Sequence, residues 1–174
     1  MRNNAEVPFL RPKILANDTA SSASVILHLL RYLEKKKRIF NNILLLEPTS
    51  PLREPKDINK CLSILKQKKN ASVVGVVRAY NTHPSFMYRR LSKGVLIPIQ
   101  KKKMKSLRRQ DLSKVFYPEG TIYGSSVEAF RKHKSFYHSR TYGYVVPKWK
   151  SLEIDDIYDF IMVEALMKYV GKHQ

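Results

Sequence analysis

The stretch Ile43-Leu-Leu-Leu-Glu-Pro-Thr-Ser-Pro-Leu-Arg53 runs from aliphatic residues into a polar turn that contains two prolines. A short aliphatic run bounded by turn residues predicts a strand that is covered on both faces. The turn then follows the carboxyl end of this strand, which is where open α/β sheets bind ligands. Thr49 and Ser50 would supply hydroxyl groups there, and Arg53 would supply a cation for phosphate or carboxylate. A capped strand-to-helix turn would use the same residue types, so both interpretations stay open.

The composition is that of a globular protein long enough to form one domain over residues 1–174. Hydrophobic residues make up 43% of the chain and charged residues 27%, the proportions of a soluble protein. The sequence contains no apolar run of membrane-spanning length and no signal-peptide pattern. Cys61 is the single cysteine, so no internal disulfide can form. We therefore expect a cytoplasmic protein with no membrane partner.

The net charge of +19, from 33 Lys and Arg against 14 Asp and Glu, indicates an anionic partner. Nucleic acid is one candidate, and a small, highly charged anionic substrate is another. The basic residues cluster in Lys-rich runs at predicted helix ends and in loops, where solvated charge is the usual explanation. Because no RNA-binding aromatic motif, zinc-ligand spacing or helix-turn-helix pattern accompanies them, specific nucleic-acid binding is the less favoured alternative.

The middle of the chain alternates between helical and strand patterns. A helix is predicted after Asp18, capped by Asp18 or a nearby serine and ending in the basic run 35–38. After the strand at 43–46 come a helix at 57–70 and a β-branched strand at 71–77. Strand, helix and strand in succession predict a βαβ unit with a parallel sheet, and hence an α/β fold.

The second half of the chain predicts further strands and two helices. Residues 116–123 and 142–146 are aromatic and β-branched, which indicates strands on either side of a short helix at 125–134. An amphipathic helix is predicted over 156–170, with acidic residues in its first turn.

Two further polar clusters could bind an anion. Arg11, Asp18 and Ser22 lie at the start of the first predicted helix, whose free amides suit an anion, although a plain helix cap would use the same residues. The run Arg108-Arg109-Gln110 sets two guanidinium groups beside an amide. That pattern suits recognition of carboxylate or phosphate, and it equally suits a solvated charge run.

Glu153 and Asp155 form a last cluster, just before the final helix. Residues two apart in an extended segment point to the same side, which would set the two carboxylates together. Such a pair can hold Mg²⁺ while phosphate oxygens complete the coordination. One of the two residues could instead cap the helix.

Several of these segments together resemble one enzyme family. Residues 45–53, Leu-Leu-Glu-Pro-Thr-Ser-Pro-Leu-Arg, resemble the LLQPTSPLR signature of the acylneuraminate cytidylyltransferases. The stretch 7–21 resembles the RP-x-x-LA-x-D-x-A segment of that family, and 152–159 resembles its IDID-x-x-x-D segment. Arg109-Gln110 and 120–123 resemble its RQ and NGAIY elements. The resemblance spans nearly the whole chain, with the motifs in the order of the family.

The resemblance implies a Rossmann-like nucleotidyltransferase sheet flanked by helices. It also implies an enzyme that transfers CMP from CTP to an acidic nine-carbon keto-sugar of the sialic or legionaminic type, releasing pyrophosphate. By match to the motifs, Glu153 and Asp155 would hold Mg²⁺. The residues along the nucleotide would be Arg11, Asp18 and Ser22. Those facing the sugar would be Glu47, Thr49, Ser50, Arg53, Arg109, Gln110 and Tyr123. A homodimer is implied as well, formed by a small β-rich extension over 116–150.

The chain departs from the family pattern at four places, one of which is Glu153 in place of the first Asp of its segment, a change that still supports a metal. The family begins with a strand and a phosphate-binding loop of the type R-x-GSKG-x-x-x-KN, which this sequence lacks. The resemblance therefore implies an N-terminally truncated form that binds CTP poorly by itself. Glu47 replaces the Gln of the signature, and Glu119 stands where the family has Asn, so both add negative charge near an anionic sugar. The alternatives are a non-catalytic binding or dimerisation module and a basic nucleic-acid-binding protein.

Overall fold

The computed structural model describes residues 5–17, 19–100 and 108–173. Its six strands are β1 (Asn42–Leu45), β2 (Ser72–Arg78), β3 (Tyr88–Arg90), β4 (Leu96–Pro98), β5 (Phe116–Ser126) and β6 (Thr141–Val145). Its four α-helices are α1 (Ser22–Lys35), α2 (Pro55–Gln67), α3 (Val127–His133) and α4 (Ile157–His173). A main sheet has the strand order β1-β5-β2-β6, and β3 and β4 form a separate antiparallel pair. The chain is therefore a mixed α/β structure, which confirms the predicted class.

The main sheet is mixed rather than parallel. β1 and β2 run in the same direction, as the predicted strand-helix-strand unit requires, but they are not neighbours. β5 lies between them and is antiparallel to both, whereas β2 pairs with β6 in parallel. The prediction of a parallel sheet was wrong because β5, which comes much later in the chain, inserts between the two strands.

β1 lies at one end of the sheet, and β5 is its only strand partner in the described chain. Its aliphatic residues Ile43, Leu44 and Leu45 are half-buried. The prediction of a strand covered on both faces is met in its packing, because Ile43 and Leu45 lie against buried residues on one face of the sheet and Leu44 against buried residues on the other, although none of the three is fully buried. It holds in full for β2, whose residues Ser72, Val73, Val74 and Gly75 are all buried, because β2 has a strand on each side.

Helices cover both faces of β2. Val73 and Val74 are adjacent and so point to opposite faces of the sheet. Val74 packs in one buried cluster with Leu30 of α1 and Phe130 of α3. Val73 packs in a second cluster with Cys61 of α2. The sheet therefore has a core on each side, with α1 and α3 on one face and α2 on the other.

The first two helices begin at capping residues. Ser21 caps α1, since its side chain accepts a hydrogen bond from the Ser24 N–H. Asp18, the other predicted cap, lies outside the described residues. Glu54 and Asp57 form a capping box at the start of α2, with Pro55 in the first turn. This arrangement starts α2 two residues earlier than predicted.

The helix predicted before the C-terminus is confirmed as α4, but its predicted amphipathic packing is not. Ile157, Phe160 and Ile161 are exposed, and Val163 is buried. Most of the apolar side chains of α4 are therefore exposed in the described chain. Within residues 5–17, 19–100 and 108–173, no helix is long and apolar enough to cross a membrane.

The segment 116–150 supplies β5, α3 and β6, and both of its strands belong to the main sheet. The small separate sheet is instead formed by β3 and β4, which lie before this segment. A role of 116–150 in dimerisation stays a prediction.

Candidate functional site

The turn after β1 is fastened to the neighbouring strand by Arg53. Its Nε donates a hydrogen bond of 2.5 Å to the carbonyl oxygen of Thr121 on β5. Its Nη2 donates to the carbonyl oxygens of Glu47 at 2.5 Å and Ser50 at 3.3 Å. The guanidinium group thus satisfies backbone acceptors of the turn itself, and the contribution of Arg53 to substrate binding stays a prediction.

The segment before α4 lies against both this turn and β5. Ile154 donates its backbone N–H to the Thr49 carbonyl oxygen at 2.9 Å. The Glu153 carboxylate accepts the backbone N–H of Gly120. A Cβ built on Gly120 would lie 2.7 Å from the Ser50 hydroxyl oxygen and 2.9 Å from the Glu153 carboxyl carbon. Only glycine therefore allows this approach, which brings three of the sequence motifs together.

Acidic side chains collect around this contact. Burial raises the pKa of the Glu47 carboxyl, and the nearby Glu153 charge raises it further, while Arg53 acts against both. Burial also raises the pKa of Glu119, although the hydrogen bonds that its carboxylate accepts from Thr121 act to lower it. The site therefore favours protonation of Glu47 and Glu119 at a higher pH than an exposed glutamate would show.

Two buried side-chain oxygens in this region have no hydrogen-bond partner among the described residues: the Ser50 hydroxyl oxygen, next to Gly120, and Oε1 of Glu119, next to Gly75. Both side chains are almost wholly buried, at 2% and 4% exposed. Oε1 of Glu119 lies 2.0 Å from the position that a Cβ on Gly75 would take. Position 75 therefore has no room for a larger side chain, because the Glu119 carboxylate of β5 occupies that space.

Glu153 and Asp155 offer oxygen donors of the kind Mg²⁺ prefers. Asp155 is exposed, and its carboxylate has no hydrogen-bond or ion-pair partner in the described chain. One oxygen of Glu153 is used by Gly120. The described residues contain no group of three or more His, Cys, Asp or Glu that could enclose a metal. A role of Glu153 and Asp155 as a metal-binding pair stays a prediction.

A cavity of about 240 Å³ opens beside the turn, between the start of α1 and the end of α3. Its lining contains three of the residues singled out by sequence. The ten lining residues are Ser22, Ala23, Leu45, Glu47, Tyr123, Phe130, Lys134, Ser135, Phe136 and Tyr137. Residues from four separate parts of the chain thus meet at one concave surface.

Sequence reasoning missed the part of this cavity that follows α3. Lys134 ends α3 in the left-handed conformation and places a cation at the cavity. The Phe136 ring lies 5.5 Å from that of Tyr123. Burial raises the pKa of both Tyr123 and Tyr137. The adjacent aromatic residues Phe136 and Tyr137 are visible in the sequence. Only the packing of Phe136 against Tyr123 of β5 shows that they belong to the cavity.

The remaining candidates do not meet at this cavity. Arg11 and Gln110 are exposed, and neither lines it. Arg109 begins a short 3-10 turn, Arg109–Asp111, and its side chain lies outside the described residues, as does all of Asp18. Thr49 is half-buried and Ser50 is buried. Their roles stay predictions.

A buried ion pair lies at the start of α2, directly after the turn that follows β1. The Lys150 ammonium group is 1% exposed and lies 2.7 Å from the Asp57 carboxylate, which is fully buried. It also contacts the Glu54 carboxylate. The Tyr144 hydroxyl donates to Asp57 at 2.7 Å. This network joins the start of α2 to the segment that leads into Glu153.

The fold and this site define a class: a mixed α/β protein with carboxylates, a cation and aromatic side chains gathered at the end of a strand. No family model matches the chain. It is 32% identical to the N-acylneuraminate cytidylyltransferase of Streptococcus agalactiae serotype III over 154 residues, which are 88% of this chain and 36% of the relative. It is 29% identical to the CMP-N,N'-diacetyllegionaminic acid synthase of Legionella pneumophila, over 94% of this chain and 70% of that protein. It is 25% identical to the pseudaminic acid cytidylyltransferase of Campylobacter jejuni, over 97% and 72%.

The chain is therefore a homologue of the acylneuraminate and related sialic-acid-type cytidylyltransferases over most of its length. It spans about a third of the length of the streptococcal relative.

Proposed function

We propose that this chain takes part in the transfer of CMP from CTP to an acidic nine-carbon keto-sugar, with release of pyrophosphate, in the synthesis of surface glycans. In this reaction the anomeric hydroxyl oxygen bonds to the α-phosphorus and the bond to the bridging oxygen of pyrophosphate breaks. The observation that carries the proposal is the cavity where Ser22, Glu47 and Tyr123 meet. The resemblance assigns these three residues to nucleotide and sugar, although they lie far apart in sequence.

The cavity has the chemistry to bind a sugar acid. Tyr123, Phe136 and Tyr137 supply ring faces for the carbon skeleton, and the hydroxyls can bond to the hydroxyls of the sugar. Lys134 supplies a cation for the carboxylate. We propose that Glu47 accepts hydrogen bonds from sugar hydroxyls. Its raised pKa reduces the repulsion that a fully charged glutamate would exert on the sugar acid.

We further propose that Glu153 and Asp155 hold Mg²⁺ against the phosphates. The metal would neutralise charge that develops on the α-phosphate during the attack. In support of this role, the Gly120 N–H donates a hydrogen bond to the Glu153 carboxylate, and Asp155 is exposed. The reaction would take place in the cytoplasm.

Self-association is the second part of the proposal. The pair of strands β3 and β4 exposes Tyr88, Leu96 and Ile97, and α4 exposes further apolar side chains. Burial of these residues in a homodimer would remove apolar surface from water. Light scattering after gel filtration tests it, and a strictly monomeric chain at micromolar concentration would contradict it.

The enzymatic proposal is tested by pyrophosphate release from CTP and by calorimetric binding of sugars. N-acetylneuraminic, legionaminic and pseudaminic acids are compared, each with and without Mg²⁺. Lys134→Ala and Tyr123→Phe are expected to weaken sugar binding at least fivefold. Lys132→Ala is the matched control, because Lys132 is exposed on the same helix and does not line the cavity.

The metal is tested separately with Glu153→Gln and Asp155→Asn. Both are expected to remove the Mg²⁺ dependence of phosphate-ligand binding, while Glu164→Gln on α4 leaves it intact. If none of the cavity or carboxylate variants changes the binding of any sugar or nucleotide, the chain is a non-catalytic module and the proposal fails.

A further inference from the structure

A second cavity, of about 450 Å³, lies at the other end of the long strand β5. It opens where β2 ends at Arg78, where β6 ends at Val145 and where β5 begins at Phe116. β2 and β6 are parallel neighbours, so their carboxyl ends meet at this edge of the sheet. Such edges are where α/β sheets commonly bind ligands. This cavity shares no lining residue with the cavity that contains Glu47 and Tyr123.

The charge around this second cavity is of one sign. Arg78, Lys114 and Lys148 line it, and no described carboxylate does. None of the three forms an ion pair with a carboxylate of the described chain. An unbalanced group of cations around a concave surface attracts an anion.

Two exposed aromatic rings stand beside these cations. Tyr80 is 49% exposed and Phe116 is 41% exposed. The Arg78 guanidinium group lies 4.9 Å from the centre of the Tyr80 ring. The other lining residues are apolar: buried Val77 and Val146, and exposed Val145 and Pro147. Exposed rings next to cations form the kind of surface on which nucleic-acid bases stack while phosphates are neutralised.

These observations restrict the ligand. A purely apolar ligand would leave three cations desolvated without a counter-charge. A small anion such as phosphate would leave the two rings without contact. A nucleotide satisfies both features at once, and the volume is within the roughly 300–1,000 Å³ of ordinary ligand sites.

We propose that this cavity binds a nucleotide, either free or as part of a single strand, by stacking its base on Tyr80 or Phe116 and pairing its phosphates with Arg78, Lys114 and Lys148. This site is separate from the one proposed for CMP transfer and does not depend on it. The proposed site would account for three of the basic residues that contribute to the net charge of +19.

The proposal is tested with the full chain by fluorescence anisotropy of labelled hexa-adenylate and by calorimetry of AMP. The charge variant is Lys114→Glu with Lys148→Glu, and the stacking variant is Tyr80→Ala. All three residues are exposed, so the variants should fold. The matched control is Lys60→Glu with Lys66→Glu, two exposed residues of α2 that change the net charge equally.

The charge variant is expected to bind hexa-adenylate at least tenfold more weakly. Its slope of log affinity against log salt should fall by about 1.4, because each phosphate contact on a single strand contributes about 0.7. The stacking variant should lose about 5- to 150-fold, the range for one lost base stack. The control should change affinity less than threefold and keep the slope. Binding of AMP with the same dependence on variants identifies a free nucleotide, and binding of hexa-adenylate alone identifies a strand.

Equal losses in the charge variant and the control would mean that net charge alone attracts the strand, and would overturn the proposal. So would the absence of binding to both probes at low salt. Unchanged binding in Glu153→Gln is also expected, and it keeps this result distinct from the outcome for CMP transfer.

Discussion

The Glu153 carboxylate accepts a hydrogen bond from the backbone N–H of Gly120, across 33 positions of sequence. This contact brings the segment before α4 against the central strand β5. It also places Glu153 beside the turn that follows β1, since the neighbouring Ile154 bonds to Thr49. Two motifs that are separate in the sequence thus form one surface.

Gly120→Ala should disrupt this contact. The new methyl group would lie 2.7 Å from the Ser50 hydroxyl oxygen and 2.9 Å from the Glu153 carboxyl carbon, so one of them must move. We expect a loss of about 1–3 kcal/mol in the free energy of unfolding, and weaker binding of phosphate ligands. Urea denaturation measures the first effect. Gly171→Ala is the control, because nothing lies within 4 Å of its new methyl group. A Gly120→Ala variant as stable as the parent would show that the approach is looser than described.

Glu119→Gln should stabilise the protein at high pH. Burial raises the pKa of Glu119, so the folded chain binds this proton more tightly than the unfolded chain. The stability gained in this way is complete below the unfolded pKa and is lost as pH rises through the folded pKa. The amide avoids this loss, and we expect a gain of about 1–3 kcal/mol at pH 8 that shrinks toward pH 4. Thermal unfolding across this range tests it, with the exposed Glu164→Gln as control. A gain that does not depend on pH would contradict the explanation.

Lys150→Met should be among the most destabilising substitutions. It removes the buried partner of Asp57, at 2.7 Å, and leaves a buried carboxylate without its counter-charge. Breaking such a pair costs about 3–5 kcal/mol. Lys168→Met removes an exposed ion pair of 3.1 Å with Glu164 and should cost less than about 1 kcal/mol. Chemical denaturation compares the two. Adding Asp57→Asn to Lys150→Met removes the unpaired charge but keeps an acceptor for the Glu54 N–H and the Tyr144 hydroxyl. It should restore part of the loss, and a further large loss would argue against an electrostatic origin.

The same network predicts an acid-sensitive fold. Hydrogen bonds from Lys150 and then from Lys56 lower the pKa of Glu54 from 4.5 to about 2. Desolvation opposes a low pKa at Asp57, but hydrogen bonds from Lys150 and Tyr144 outweigh it and lower that pKa too. Depressed carboxyl pKa values add stability above the unfolded values, and this stability is lost as pH falls through the folded ones. The free energy of unfolding should therefore fall between pH 5 and about pH 2. In Lys150→Met this fall should be smaller, and an equal fall would contradict the assignment.

Cys61 should be unreactive in the folded protein. Burial raises the pKa of its thiol to about 12, and the side chain is fully buried. Because the thiolate is the reactive form, a thiol reagent at pH 8 should modify Cys61 only at the rate of unfolding. The labelling rate should rise with denaturant in parallel with the loss of structure. Rapid labelling without denaturant would show that α2 separates readily from the sheet.

The sequence by itself determined the α/β class and the positions of most elements, because hydrophobic periodicity and caps act over a few neighbouring residues. It placed α1, α2, β2 and α4 to within a few residues. It also singled out the turn at 47–53 and the acidic segment at 153–155, since their residue types indicate chemistry without reference to the fold. The resemblance to the cytidylyltransferases came from the same local motifs and is confirmed by the relatives.

Only the tertiary structure decided which of these elements are neighbours. β5 pairs between β1 and β2, an arrangement that depends on contacts between residues as far apart in the sequence as Asn42 and Ser126 and has no local signal. Three features follow from that packing: the hydrogen bonds of Arg53 to backbone carbonyls, the exposure of α4, and the presence of Lys134 and Glu47 in the lining of one cavity. The periodicity of apolar side chains shows which residues are buried. Only the fold shows which of them pack together, because that depends on contacts between residues that are distant in the sequence.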